Sequence, residues 1–100
     1  AAWRLESLRR VGRAAEAEAL LRSLPEDVRR EPLINVVLAL FDRDGGEERR
    51  ARALLGSVAS AFPGTPLEQA LHAPLAEWPS TLDAMTRQPR RDATVAAGPR

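Results

Sequence analysis

Two stretches of this chain are versions of one another. "GRAAEAEALLRSL" (residues 12–24) lies over "GEERRARALLGSV" (residues 46–58) at an offset of 34, with six of thirteen positions identical. The identities are Gly12/Gly46, Ala17/Ala51, Ala19/Ala53, Leu20/Leu54, Leu21/Leu55 and Ser23/Ser57, and Leu24/Val58 is conservative. Chance would supply roughly one or two matches in so Ala- and Leu-rich a chain. Upstream the likeness fades to a single pair, Arg9/Arg43. A period of this length marks one supersecondary unit used more than once, which restricts the chain to folds built by stacking.

The unit is helical. Within the first copy Ala17, Leu20, Leu21 and Leu24 form one stripe at helical spacing, and Ala51, Leu54, Leu55, Val58 and Phe62 recur the same way in the second. Aromatic residues make up 4% of the chain, and Ala and Leu carry most of its apolar content, which favours close-packed helices over a sheet. One hundred residues, 44% hydrophobic and 29% charged, fit one small domain with a modest core.

A 34-residue period resembles the tetratricopeptide repeat (TPR), a helix, a turn and a second antiparallel helix. Residues 32–65 carry the resemblance best. The family pattern W-x₂-L-G-x₂-Y, then A-x₃-F, then P, falls on Asn35, Leu38, Ala39 and Asp42, then Ala51 and Leu55, then Pro63. Asn35 and Asp42 depart from it, standing at the aromatic positions. The resemblance implies an all-α, TPR-like array of antiparallel helical hairpins, an α-solenoid fragment with a short C-terminal capping helix. In that register "INVVLALF" (residues 34–41) is the first helix of the second hairpin, wedged between neighbours and so in no need of a polar face. A strand there would lack a partner, since nothing else alternates or ends in a hairpin turn.

The expected organisation is a helical domain over residues 1–88 and a disordered basic tail over residues 89–100. Repeat one covers residues 1–31, repeat two residues 32–65, and a half repeat with its cap residues 66–88. Gly12 stops the first helix, Pro25 the second, and "PEDVRRE" provides a short extra turn before Pro32 opens the next helix. Pro74 and "EWPS" interrupt the third unit, and Ser80 with Asp83 marks the start of the last helix.

Nothing in the sequence points to catalysis, a cofactor or a metal. Asp42 and Asp44 in "DRDGGE" have the spacing of the first two ligands of a calcium loop. Gly46, Glu47 and Ala53 then stand where a ligand, the turn Gly and the bidentate Glu belong. His72 is the single histidine, with no motif around it. Glu16, Glu18, Glu47 and Glu48 alternate with Arg as on solvated helix faces. There is no Cys to supply a nucleophile or thiolate ligand. All fifteen basic residues are Arg, and they are unevenly placed. Residues 87–100 hold four against one Asp, a net of +3, while residues 1–86 hold eleven against thirteen acids, a net of −2. Arg22, Arg49, Arg50 and Arg52 could meet phosphate, but acids lie among them and no aromatic residues interleave for stacking, which disfavours nucleic acid.

Neither a signal peptide nor a membrane span is expected, and the start at Ala1 reads as a piece of a longer or processed chain. The resemblance directs attention to the inner face lined by first-helix side chains. Family members that grip a C-terminal carboxylate place Lys, Asn and Arg there. Here the matching positions are Ala2, Trp3 and Glu6, then Leu33, Val36, Val37 and Leu40, then Leu67, Ala70, Leu71 and Pro74. Such a face implies a non-enzymatic interaction or assembly module. Its partner would be an amphipathic helix, a peptide or a second copy, held against Trp3, Leu33, Val36, Val37, Leu40, Leu67 and Leu71. The same apolar residues are open to a blander reading as internal packing. Two other functions compete: a structural helical subdomain of a larger enzyme or regulator, and an RNA or anion binder acting through the Arg-rich tail.

Overall fold

The structure is a computed structural model that describes residues 1–87; the basic tail expected over residues 89–100 lies outside the described residues. Among the described residues every regular element is helical. Helices α1 (Ala2–Arg10) and α2 (Ala14–Ser23) form one hairpin, and α4 (Pro32–Asp44) and α5 (Glu48–Val58) another. A single turn, α3 (Glu26–Arg29), bridges them. The shorter α6 (Pro66–Ala70) and α7 (Leu82–Thr86) follow, separated by a 3₁₀ turn at residues 75–77.

The two hairpins turn the same way for the same reason. After α1 the N–H of Gly12 donates to the Arg9 carbonyl at 3.1 Å and that of Arg13 to Leu8 at 2.9 Å. After α4 the N–H of Gly46 donates to Arg43 at 3.0 Å and that of Glu47 to Asp42 at 2.8 Å. This paired bonding satisfies carbonyls that the helix end leaves free, and it needs a left-handed residue just past the helix. Gly12 and Gly46, both at φ +78°, supply it. The Ser hydroxyls 34 apart also match, Ser23 donating to Leu20 and Ser57 to Leu54, each at 2.7 Å.

Helix α4 is the hub. It packs against α1, α3, α5 and α7, and Ile34, Val36, Val37, Ala39 and Leu40 are wholly buried along it. "INVVLALF" is therefore a helix with other helices on several sides, as its lack of a polar face requires. Pro32 begins it at the first turn, where its absent N–H costs no intrahelical bond. Leu5, Ala17, Ala51, Leu55 and Val58 complete the core of the two hairpins, and Leu67, Trp78, Leu82 and Met85 extend it toward the C-terminal part.

The C-terminal segment is fastened across the first helices by charged groups. Arg9 pairs with Glu6 at 2.7 Å, with side chains only 6% and 4% exposed, and reaches Asp44 at 2.7 Å and the Ser80 carbonyl at 2.6 Å. Arg43 donates to the Pro79 carbonyl at 3.0 Å, and Glu6 accepts the N–H of Leu82 at 2.7 Å. Positions 36, 40 and 43 share one face of a helix, so the grip of Arg43 on residue 79 lays this segment over the Val36 and Leu40 side of α4. The last helix starts one residue later than expected. Thr81, not Ser80, is its cap, accepting from the Ala84 N–H at 3.2 Å, while Asp83 pairs with Arg87 at 2.7 Å.

Candidate functional site

The side chains proposed from the sequence as a partner site do not line an open groove. Val36, Val37, Leu40 and Leu67 are 0% exposed, and Leu33 and Leu71 are half-buried. The chain's own C-terminal segment and neighbouring helices cover that face, so these residues form internal packing. Trp3 stands apart at 53% exposed. The second Trp is interior: the Trp78 indole donates to the Ala73 carbonyl at 3.2 Å, and the Arg52 guanidinium lies 5.8 Å from its ring centre. Arg52 also donates to the carbonyls of Leu71 and Ala73, both at 2.7 Å, fixing the turn that follows α6. It belongs to the fold and not to an anion-binding surface.

The open concavity lies on the other side, between α2 and α5. It is a groove of about 630 Å³ with Leu5, Leu38 and Phe41 at its floor. Ala14, Ala17, Glu18 and Leu21 form the α2 wall, and Arg50, Ala53 and Leu54 the α5 wall. The volume falls within the range of about 300–1,000 Å³ common to binding clefts. The groove exists because the hairpins pack through α1 and α4, while α2 and α5 at corresponding positions stay apart. Leu21, Leu38, Phe41 and Leu54 are half-buried, each with one side against the core and the other toward the opening.

The polar groups of the groove are few and unlike one another. On one wall Glu18 is paired with Arg22 at 2.8 Å, an exposed i,i+4 pair of small energetic weight. Near the floor the Asp42 side chain is 13% exposed, and its nearest cation, Arg50, is 3.6 Å away and itself 71% exposed. Burial pushes the Asp42 carboxyl above the usual carboxylate range; Arg50 pulls the other way and Glu47 adds to the rise. Its near neighbour Asp44 behaves oppositely. Burial pushes that carboxyl up too, but hydrogen bonds from Arg43 and Arg9 outweigh it and hold Asp44 below the usual range.

The remaining candidates are dispersed. Asp42 and Asp44 serve different sides of α4, and no cluster of three potential metal ligands occurs among the described residues. His72 is exposed on the turn after α6. Glu16 and Glu48 pair with Arg13 and Arg52, at 3.3 and 2.9 Å. No helix among the described residues is long and apolar enough to cross a membrane. No known protein family matches the chain, and neither a curated protein nor a solved structure matches it.

Proposed function

We propose that the chain is a non-catalytic protein–protein interaction module, a TPR-like pair of helical hairpins that holds an amphipathic helix of a partner protein in the groove between α2 and α5. The supporting observation is the row of half-buried side chains, Leu21, Leu38, Phe41 and Leu54, with no segment of the described chain over them. The rim favours a helix as occupant. Ala14 and Ala53 are exposed there, and small residues let a helix axis approach to the lower end of the usual 8–10 Å spacing. Affinity would come from burying apolar area at roughly 25 cal/mol per Å², less the cost of ordering the partner.

A test uses a synthetic helical peptide with a leucine stripe on one face, titrated into the ¹⁵N-labelled chain. Shifts confined to residues around Leu21, Leu38, Phe41 and Leu54, abolished by Leu54→Glu with helicity retained, are expected. Shifts at Trp3 or at residues 78–87 instead, or no binding at all, would overturn the reading. Concentration-dependent self-association through the same residues would replace the partner helix by a second copy.

A further inference from the structure

The outer side of α1 is the counterpart of a side that the fold covers on α4. Counted back from the matching turns at Gly12 and Gly46, Trp3 and Arg10 on α1 stand where Val37 and Asp44 stand on α4. Each pair is seven residues apart and so shares one side of its helix. On α4 that side faces α1: the two helices pack together, Asp44 pairs across the contact with Arg9 at 2.7 Å, and Val37 is 0% exposed. On α1 the corresponding side is bare. Trp3 is 53% exposed, and Arg10 is exposed and enters no ion pair among the described residues.

The bare side carries charge of one sign. Ser7 lies between Trp3 and Arg10, and exposed Arg4 and Val11 flank them. Trp3 and Val11 are the exposed large hydrophobic side chains among the described residues. The one acid of α1, Glu6, is turned inward, where Arg9 and the Leu82 N–H take up its oxygens. A large aromatic beside arginines without partners is the composition that anchors interfaces.

We infer that this side of α1 docks an acid-bearing helix of a partner protein, laid against α1 as α1 is laid against α4. The covered contact supplies the pattern: Arg9 and Asp44 meet near the C-terminal ends of their helices. A partner in the same arrangement sets an aspartate or glutamate opposite Arg10 and, one heptad away, a small residue opposite the Trp3 indole, about 10 Å along the axis. The cross-helix pair is then repeated with its signs exchanged. A second copy offering the same side would bring Arg4 and Arg10 of both chains together, and like-charge repulsion opposes that contact. The surface is separate from the groove between α2 and α5, and the inference does not rest on that groove being occupied.

The experiment uses three synthetic helical peptides with an alanine stripe, carrying glutamate, glutamine or lysine at one position of that stripe, each titrated into the ¹⁵N-labelled full chain. The Trp3 indole N–H cross-peak, assigned by its loss in Trp3→Phe, is expected to shift together with the amides of Ser7 and Arg10. The Trp78 indole and the amides of Leu21 and Leu54 should stay in place. The glutamate peptide should bind about threefold to fivefold more tightly than the glutamine peptide, and the lysine peptide more weakly than either. Arg10→Glu, a change at an exposed side chain outside the core, should reverse that order. No binding, or an order that Arg10→Glu leaves unchanged, overturns the inference. Shifts at Leu21 and Leu54 with the Trp3 indole unmoved overturn it too, while leaving the groove reading intact. Concentration-dependent self-association that moves the Trp3 indole would replace the partner helix by a second copy. Loss of the Trp3 cross-peak on phosphatidylglycerol vesicles, with no response to the peptides, would assign the surface to anionic lipid instead.

Discussion

Arg9 and Arg43, one on the first helix of each hairpin and 34 residues apart, grip consecutive carbonyl oxygens of a single segment: Arg9 that of Ser80, Arg43 that of Pro79. Their equivalence along the chain becomes adjacency in space because α1 and α4 pack side by side. Arg9 also neutralises Glu6, which in turn holds the Leu82 N–H. The inner face is thereby closed by a network in which each charge has a partner.

Removing one member of that network should cost more than the network contributes as a whole. Arg9→Ala leaves the Glu6 carboxylate buried and short of its cation, and a loss of about 3 kcal/mol is expected. Urea unfolding measures it, and amide exchange at Leu82 should accelerate together with the loss of stability.

Arg52 is predicted to be structural. Arg52→Ala removes two charge-assisted hydrogen bonds to the Leu71 and Ala73 carbonyls just past α6 and the cation above the Trp78 ring, for a loss of about 2 kcal/mol. In a Trp3→Phe background the emission of Trp78 should shift to longer wavelength and its acrylamide quenching should rise. An unchanged spectrum would show that Arg52 does not hold this segment.

The adjacent glycines Gly45 and Gly46 should respond differently to alanine. Gly46 is left-handed at φ +78° with open space around it, so Gly46→Ala should cost roughly 1–2 kcal/mol from backbone torsion alone. Gly45 sits at φ −88°, where a Cβ would meet only ordinary contacts near 3.6 Å, and Gly45→Ala should be neutral or stabilise by up to about 1 kcal/mol. Gly12→Ala should match Gly46→Ala. Thermal unfolding of the three variants provides the comparison.

The pH dependence of stability should contain two opposed contributions. Asp44 titrates below its unfolded value, so its contribution is present above the ordinary aspartate pKa, about 3.9, and is lost as pH falls through the depressed folded value. Asp42 titrates above its unfolded value. The folded chain then binds more protons than the unfolded one between the two values, and stability falls as pH rises through that window. Asp42→Asn should therefore raise the urea midpoint at neutral pH and Asp44→Asn should lower it. If both shifted it the same way, the assigned environments would be wrong.

Much of the fold was legible because periodicity and glycine placement are local properties. Gly12 announced the first turn, Pro32 the start of α4, and the almost wholly apolar run of residues 34–41 a helix with no wet side. Pro25 and "PEDVRRE" foretold the end of α2 and the single turn of α3. The site was not legible. Apolarity at Val36, Val37, Leu40 and Leu67 is the same whether a face is open or covered, and what covers it is a segment more than thirty residues away from α4's core positions. Two sequence features do bear on it. Arg9/Arg43 was the one identity upstream of the repeated turn, and both arginines hold the covering segment. Asp42 was one of two departures from the family pattern, a small acid where the pattern has an aromatic, and it lines the groove.

The bond from the Leu82 amide to Glu6 spans 76 positions. During synthesis both helical hairpins can form from contiguous residues while the ribosome is still adding the remainder, at about 5–20 residues per second. Glu6 and Arg9, sealed away in the folded structure, stay open to solvent through all of that time and lock only when α7 has left the exit tunnel. Latching thus follows the formation of the hairpins, and a nascent chain stalled short of residue 82 would present to chaperones the oily inner surface that the folded structure conceals.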